Sequence, residues 1–117
     1  MAVTATRSTT IVYSVDVIGT QTLSAASNTA SPGMMELVTL ASGNTTVTVP
    51  TGGSTPVAVT IVPPTANTTA ITFRGVAGDT GVRLHNTDPT TIALHSSVTT
   101  FVLNTGGAIT GVRYYWT

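Results

Sequence analysis

The feature that limits the fold most is a hydrophobic pattern of period two, interrupted about every 8–12 residues by glycine, proline, asparagine or aspartate. Alternation of this kind sends successive side chains to opposite faces of a strand, and β-branched residues dominate throughout, so no helical candidate of useful length exists. Residues 8–18 alternate most clearly, with Ile11, Tyr13, Val15 and Val17 on one side and Val12, Ser14, Asp16 and Ile18 on the other. They read as one long strand with at least one buried face. A loop rich in Ser, Ala and Asn follows over 24–33. Strands are then expected at 34–40 and 45–49 around the turn Ser42-Gly43-Asn44. Residues 50–56, with Gly52-Gly53 inside, form a loop. The next strand, 57–62, is stopped by Pro63-Pro64, which cannot donate to a ladder.

Further strands are expected at 70–74, 82–85, 90–94, 99–103 and 108–117. A Gly- and Asp-rich turn fills 75–81, and Asn86-Thr87-Asp88-Pro89 ends the short strand before it. Gly106-Gly107 leads into the last strand, where Val112, Tyr114 and Trp116 share one face and Arg113, Tyr115 and Thr117 the other. Eight to ten short antiparallel strands with such punctuation predict a single all-β domain over residues 1–117, a jelly-roll-like β-sandwich.

Composition narrows the function. Only 7% of the 117 residues are charged, against about 25% in average soluble domains; there is no lysine, and the formal net charge is zero. Four arginines without a basic run do not make the electrostatic footprint of a nucleic-acid binder. Cysteine is absent, which removes disulfides and thiolate chemistry. No stretch approaches a membrane span, and residues 1–10 contain no apolar run of signal-peptide length, so synthesis in the cytoplasm and no membrane partner are expected. Natural sheets shield their edges with charge, lysine above all. A neutral, lysine-free surface promotes association, so neighbouring subunits are expected to cover these edges.

Candidates for chemistry are few. Asp79, His85 and His95 carry ligand types that suit divalent metals, but their spacing matches no ligand motif. Asp79 and Asp88 instead stand where aspartate caps turns. Ser96, His95 and Asp88 could be drawn as a hydrolytic triad, yet no Gly-x-Ser-x-Gly elbow accompanies them. The glycine-rich run 75–81 lacks the lysine and helix of a phosphate loop. Its glycines serve positive φ in a tight turn. No cofactor is implied, and the expectation is a protein without enzymatic activity. Arg74 and Arg83 flank that turn; each either pairs with Asp79 or Asp88 or reaches a neighbouring subunit. Asn44 and Asn67 stand in glycosylation sequons, which mean little without an export signal.

From Thr72-Phe73-Arg74-Gly75-Val76-Ala77-Gly78-Asp79-Thr80-Gly81-Val82-Arg83-Leu84-His85, through Asp88-Pro89 and Thr99-Thr100-Phe101-Val102-Leu103, to Arg113-Tyr114-Tyr115-Trp116, the chain resembles small virion proteins of tailed bacteriophages. The resemblance implies a cytoplasmically made β-sandwich that joins a capsid or tail as trimers or larger rings. Its partners would be copies of itself and virion proteins such as the major capsid protein or tail proteins. A capsid decoration (cement) role is expected first, with a small tail, baseplate or fibre-attachment component as the alternative. Arg7, Arg74, Arg83, Arg113 and Tyr115 are the candidate contact residues. A lectin-like glycan-binding module, with Tyr115 as the stacking ring, is the rival from another class.

Overall fold

In a computed structural model of the chain, the backbone is described for residues 5–7, 10–15, 19–24, 28–30, 34–51, 56 and 58–117, and side chains from residue 34 onward within those ranges. All regular elements among the described residues are strands. They are β1 (Ala5–Arg7), β2 (Thr10–Val15), β3 (Gly19–Ser24), β4 (Asn28–Ala30), β5 (Met34–Leu40), β6 (Gly43–Thr48), β7 (Ala58–Val62), β8 (Ile71–Arg74), β9 (Val82–Arg83), β10 (Thr90–Ala93), β11 (Thr100–Thr105) and β12 (Ile109–Trp116). No helix of the described residues is long and apolar enough to cross a membrane.

The last eight strands form two packed four-stranded sheets, ordered β10-β7-β12-β5 and β6-β11-β8-β9. Every neighbouring pair is antiparallel. The pairings are nested: β8 with β9, β7 with β10, β6 with β11 and β5 with β12. A long hairpin folded over on itself in this way is a jelly roll, so the expected sandwich is the one observed. Strands 5 to 12 lie within a few residues of their expected places.

The first thirty residues depart from expectation. Residues 8–18 are not one strand: Thr10–Val15 pairs back on Gly19–Ser24, with Val15 opposite Gly19. Inside the stretch read as a loop, Asn28–Ala30 pairs with Ala5–Arg7. Neither pair is hydrogen-bonded to a strand of the sandwich among the described residues. The alternating faces assigned to Ile11 through Ile18 lie outside the described side chains.

Most of the core follows the alternation, although Val102 between Phe101 and Leu103, and Ala58 beside Val59, are buried at the other parity. The first sheet contributes Leu40, Val59, Ile61, Ile109, Val112, Tyr114 and Trp116, and the second Val47, Val49, Ile71, Leu84, Phe101 and Leu103. Burying a side chain such as Ile61 or Leu103 contributes about 1.5–3 kcal/mol. Aromatic rings bridge the two layers: Tyr114 meets Trp116 edge-on at 6.2 Å, Trp116 meets Phe101 at 6.3 Å, and Phe101 meets Phe73 at 5.1 Å.

Simple alternation fails at one place in β12. Ile109 and Val112 are three residues apart, yet both are buried. The register against β5 shifts between Thr110 and Val112, and Gly111 takes φ 85° there, so a bulge returns the strand to phase. Thr117 also departs from its expected outward face. It is 7% exposed because its N–H donates to the Ala58 carbonyl at 2.9 Å while its own carbonyl accepts from Ala58 N–H at 3.0 Å.

Loops are held by side chains. Asn67 accepts from Thr69 N–H at 3.1 Å and donates from Nδ2 to the carbonyls of Thr69 (2.9 Å) and Asn86 (2.7 Å). Both amide hydrogens of this sequon asparagine are therefore spent inside the fold.

Candidate interaction surface

The outer face of the β10-β7-β12-β5 sheet follows from its register. Tyr115 lies between Met35 and Thr60, and Thr60 is opposite Thr91, their hydroxyls 2.8 Å apart. The next row runs Leu37, Arg113, Val62. Leu37 is 66% exposed, Met35 54% and Tyr115 38%. Arg113 is the charged residue of this face among those described. Burial of apolar surface is worth about 25 cal/mol per Å². Large apolar side chains exposed side by side on a sheet therefore mark a surface for contact more than isolated ones would.

The other outer face is polar. Asn44 Oδ1 accepts from Asn104 Nδ2 at 2.8 Å and from Arg74 Nη1 at 3.1 Å, and the same Arg74 nitrogen donates to the Ala77 carbonyl at 3.1 Å. Arg74 is thus turned onto its own chain. Arg83, exposed at the β9 edge, donates to Asn86 Oδ1 at 3.3 Å. Neither arginine bonds Asp79 or Asp88. Asp79 caps its turn, its Oδ2 accepting from Gly75 N–H (3.1 Å) and Val76 N–H (3.0 Å). Of the glycines in that turn only Gly81 has positive φ, at 76°. The structure therefore brings Arg113 and Tyr115 together and sets Arg74 and Arg83 on the opposite sheet. Arg7 is on β1, with its side chain outside the described residues.

The two long edge strands, β5 and β6, border a groove of about 330 Å³ lined by Glu36, Val38, Thr39, Leu40, Thr45, Thr46, Val47, Thr48 and Tyr114. Tyr114 Oη is buried there without a hydrogen-bond partner. Burial, and secondarily the nearby Glu36 carboxylate, pushes its phenol up to about 12. A second cleft, about 280 Å³, lies beside the bulge between Val62, Pro63, Pro64, Thr65, Gly111 and Arg113.

The titratable residues weighed for catalysis serve turns. His85 Nδ1 accepts from the N–H of Thr87 (3.2 Å) and Asp88 (2.9 Å). His95 Nδ1 accepts from Ser97 N–H at 3.1 Å and lies 2.8 Å from Ser97 Oγ, not Ser96. The Asp88 carboxylate approaches His85 Nδ1 at 3.7 Å within the same turn. Among the described residues no three His, Asp or Glu side chains gather as a metal would need, and Asp79, His85 and His95 do not converge.

No family model matches the chain, and no curated protein or solved structure does so either. Met35 and Leu37 are the surface residues that sequence reasoning missed. Their signal was present: Met34-Met35-Glu36-Leu37-Val38 is apolar at both parities, which a strand with one wet face does not need.

Proposed function

We propose that this chain is a non-enzymatic structural subunit of a tailed-bacteriophage virion, a decoration protein that stabilises the capsid by covering its surface. The observation that carries the reading is the outer face of the β10-β7-β12-β5 sheet, where Met35, Leu37 and Tyr115 are exposed around Arg113. A surface of that kind gains by being covered, and a protein that repeats over a particle meets neighbours everywhere. Jelly rolls are a recurring fold of viral coats, which supports the reading by analogy of fold. The partners are copies of the chain, as trimers or larger rings, and the major capsid protein. The place of action is the virion.

The test is to add purified chain to capsids lacking it, then sediment the particles and heat them. Saturable binding in a fixed ratio to the major capsid protein, with a higher temperature of particle rupture, is expected. Tyr115→Ala and Arg113→Ala should each weaken binding about tenfold or more, as truncations of aromatic and Arg anchors do. Binding to the tail alone, or to isolated glycan with no particle association, would refute the assignment.

A further inference from the structure

Among the described residues the sandwich has four edge strands, and three are short or polar. β9 has two residues, β10 has four and follows Pro89, and β6 is uncharged but presents only polar residues, Asn44, Thr46 and Thr48, on its outward parity. β5 differs. It presents seven residues, contains no Lys, Arg or Pro, and has no irregularity of its own, since the extra residue of the β5–β12 pair, Gly111, belongs to β12. Its one charge, Glu36, is half-buried in the groove on the inward parity. On the outward parity stand Met35 and Leu37, the most exposed apolar residues of that sheet. An edge so long and so uncharged is a template for another strand.

We infer that β5 pairs antiparallel with β5 of a second copy about a two-fold axis at Leu37, joining two four-stranded sheets into one of eight. The inference rests on the reading that copies of this chain associate. Directly opposite residues must share a face, which limits the register. Centring on Glu36 would set carboxylate against carboxylate, whereas centring on Leu37 uses all seven residues in a ladder about 24 Å long. It places Leu37 against Leu37, Met35 against Thr39 and Glu36 against Val38, so no charge faces its own kind. The two Glu36 side chains are then diagonal neighbours about 7–8 Å apart, near one screening length at physiological salt. The two Arg113 residues stand three strand spacings apart, about 14 Å, and are screened. The pairing also makes the apolar outer patches continuous across the axis. A two-fold contact of this type combines with a three-fold one into a closed hexamer or a lattice.

The chain has no cysteine, so single substitutions report the register without ambiguity. Under mild oxidation of the full-length protein, Leu37→Cys should form a disulfide-linked dimer, because opposite residues of an antiparallel pair lie within disulfide reach. Thr39→Cys should not, being offset from its counterpart by four residues, about 13 Å. Leu37→Lys, at a site 66% exposed, should keep the parental melting temperature yet weaken self-association at least tenfold by sedimentation equilibrium. Equal crosslinking of both cysteine variants, or self-association unchanged by Leu37→Lys, overturns the contact. Particle binding without Leu37→Cys crosslinking overturns this contact alone. A monomer at millimolar concentration that also ignores particles overturns both the contact and the proposed role.

Discussion

Three glycines in the same fold should respond to one methyl group in three different ways. At Gly81, with φ 76°, an added Cβ would stand 2.6 Å from Arg74 Cγ and 2.9 Å from Thr72 Cγ2, and closer still to the Phe73 carbonyl oxygen. The carbonyl belongs to β8, which is hydrogen-bonded to β11, and Arg74 is pinned by Asn44 and Ala77, so neither neighbour yields freely. The left-handed conformation costs about 1–2 kcal/mol with a Cβ. The overlap adds about 1–3 kcal/mol. For 117 residues, 1 kcal/mol corresponds to about 4 °C in melting temperature. Gly81→Ala should therefore melt about 8–20 °C lower. Gly43 has φ 93° but nothing within 4 Å of its added Cβ, so Gly43→Ala carries the conformational cost alone, about 4–8 °C. Gly78 has neither positive φ nor a neighbour within 4 Å, and Gly78→Ala should be neutral or gain about 0.4–1 kcal/mol by restricting the unfolded chain. Circular-dichroism melts and urea titrations of the three variants check the series. A Gly81→Ala protein melting within 2 °C of the parent, or a Gly78→Ala protein falling as far as Gly81→Ala, would refute the reasoning.

Three further outcomes follow from polar groups withdrawn from solvent. Tyr114→Phe removes a buried hydroxyl without a partner and should raise stability by about 1 kcal/mol in chemical denaturation. The raised phenol sets the alkaline behaviour as well. Its folded-state value, about 12, exceeds the ordinary 10, so the folded form holds the proton more tightly. The resulting stabilisation is complete below pH 10 and is lost as pH rises from 10 to 12. The Tyr114→Phe protein should lack that decline, and a parent equally stable at pH 9 and pH 12 would contradict it. Asn67→Ala deletes three hydrogen bonds, two that brace the 64–69 loop through Thr69 and one that ties it to the Asn86 carbonyl, and should cost about 2–3 kcal/mol in urea unfolding.

The local pattern made much of the sandwich legible. Ala58 to Val62 before a double proline, and Val112, Tyr114 and Trp116 alternating with exposed residues, are statements about one strand and its two faces, and both describe the fold. Which strands become neighbours is not a local property. Met34 meets Trp116 through a register that no motif announces. The bulge at Gly111 was legible in principle, since Ile109 and Val112 break the period with a glycine between them. Residues 8–18 misled for the opposite reason: the alternation of the sequence runs on past Val15, although Val15 is already opposite Gly19. Among the candidate contacts, Arg113 and Tyr115 were placed correctly on one outward face. Arg74 could not be, because its partner Asn44 is thirty residues away and belongs to an edge strand two strands over.

The nested pairings also favour one order of assembly in time. Once β8 and β9 meet, each enclosing pair has a shorter span of free chain to bring together, so closure is least costly when it zips outward from the innermost turn. In that order β12 would join last, and it is the strand that links β5 to β7. A ribosome must therefore release residues 109–116 before one whole layer can be knitted. Until then Met35 and Leu37 wait on a strand with neither side paired, in the slow kinetic class of non-local β topologies.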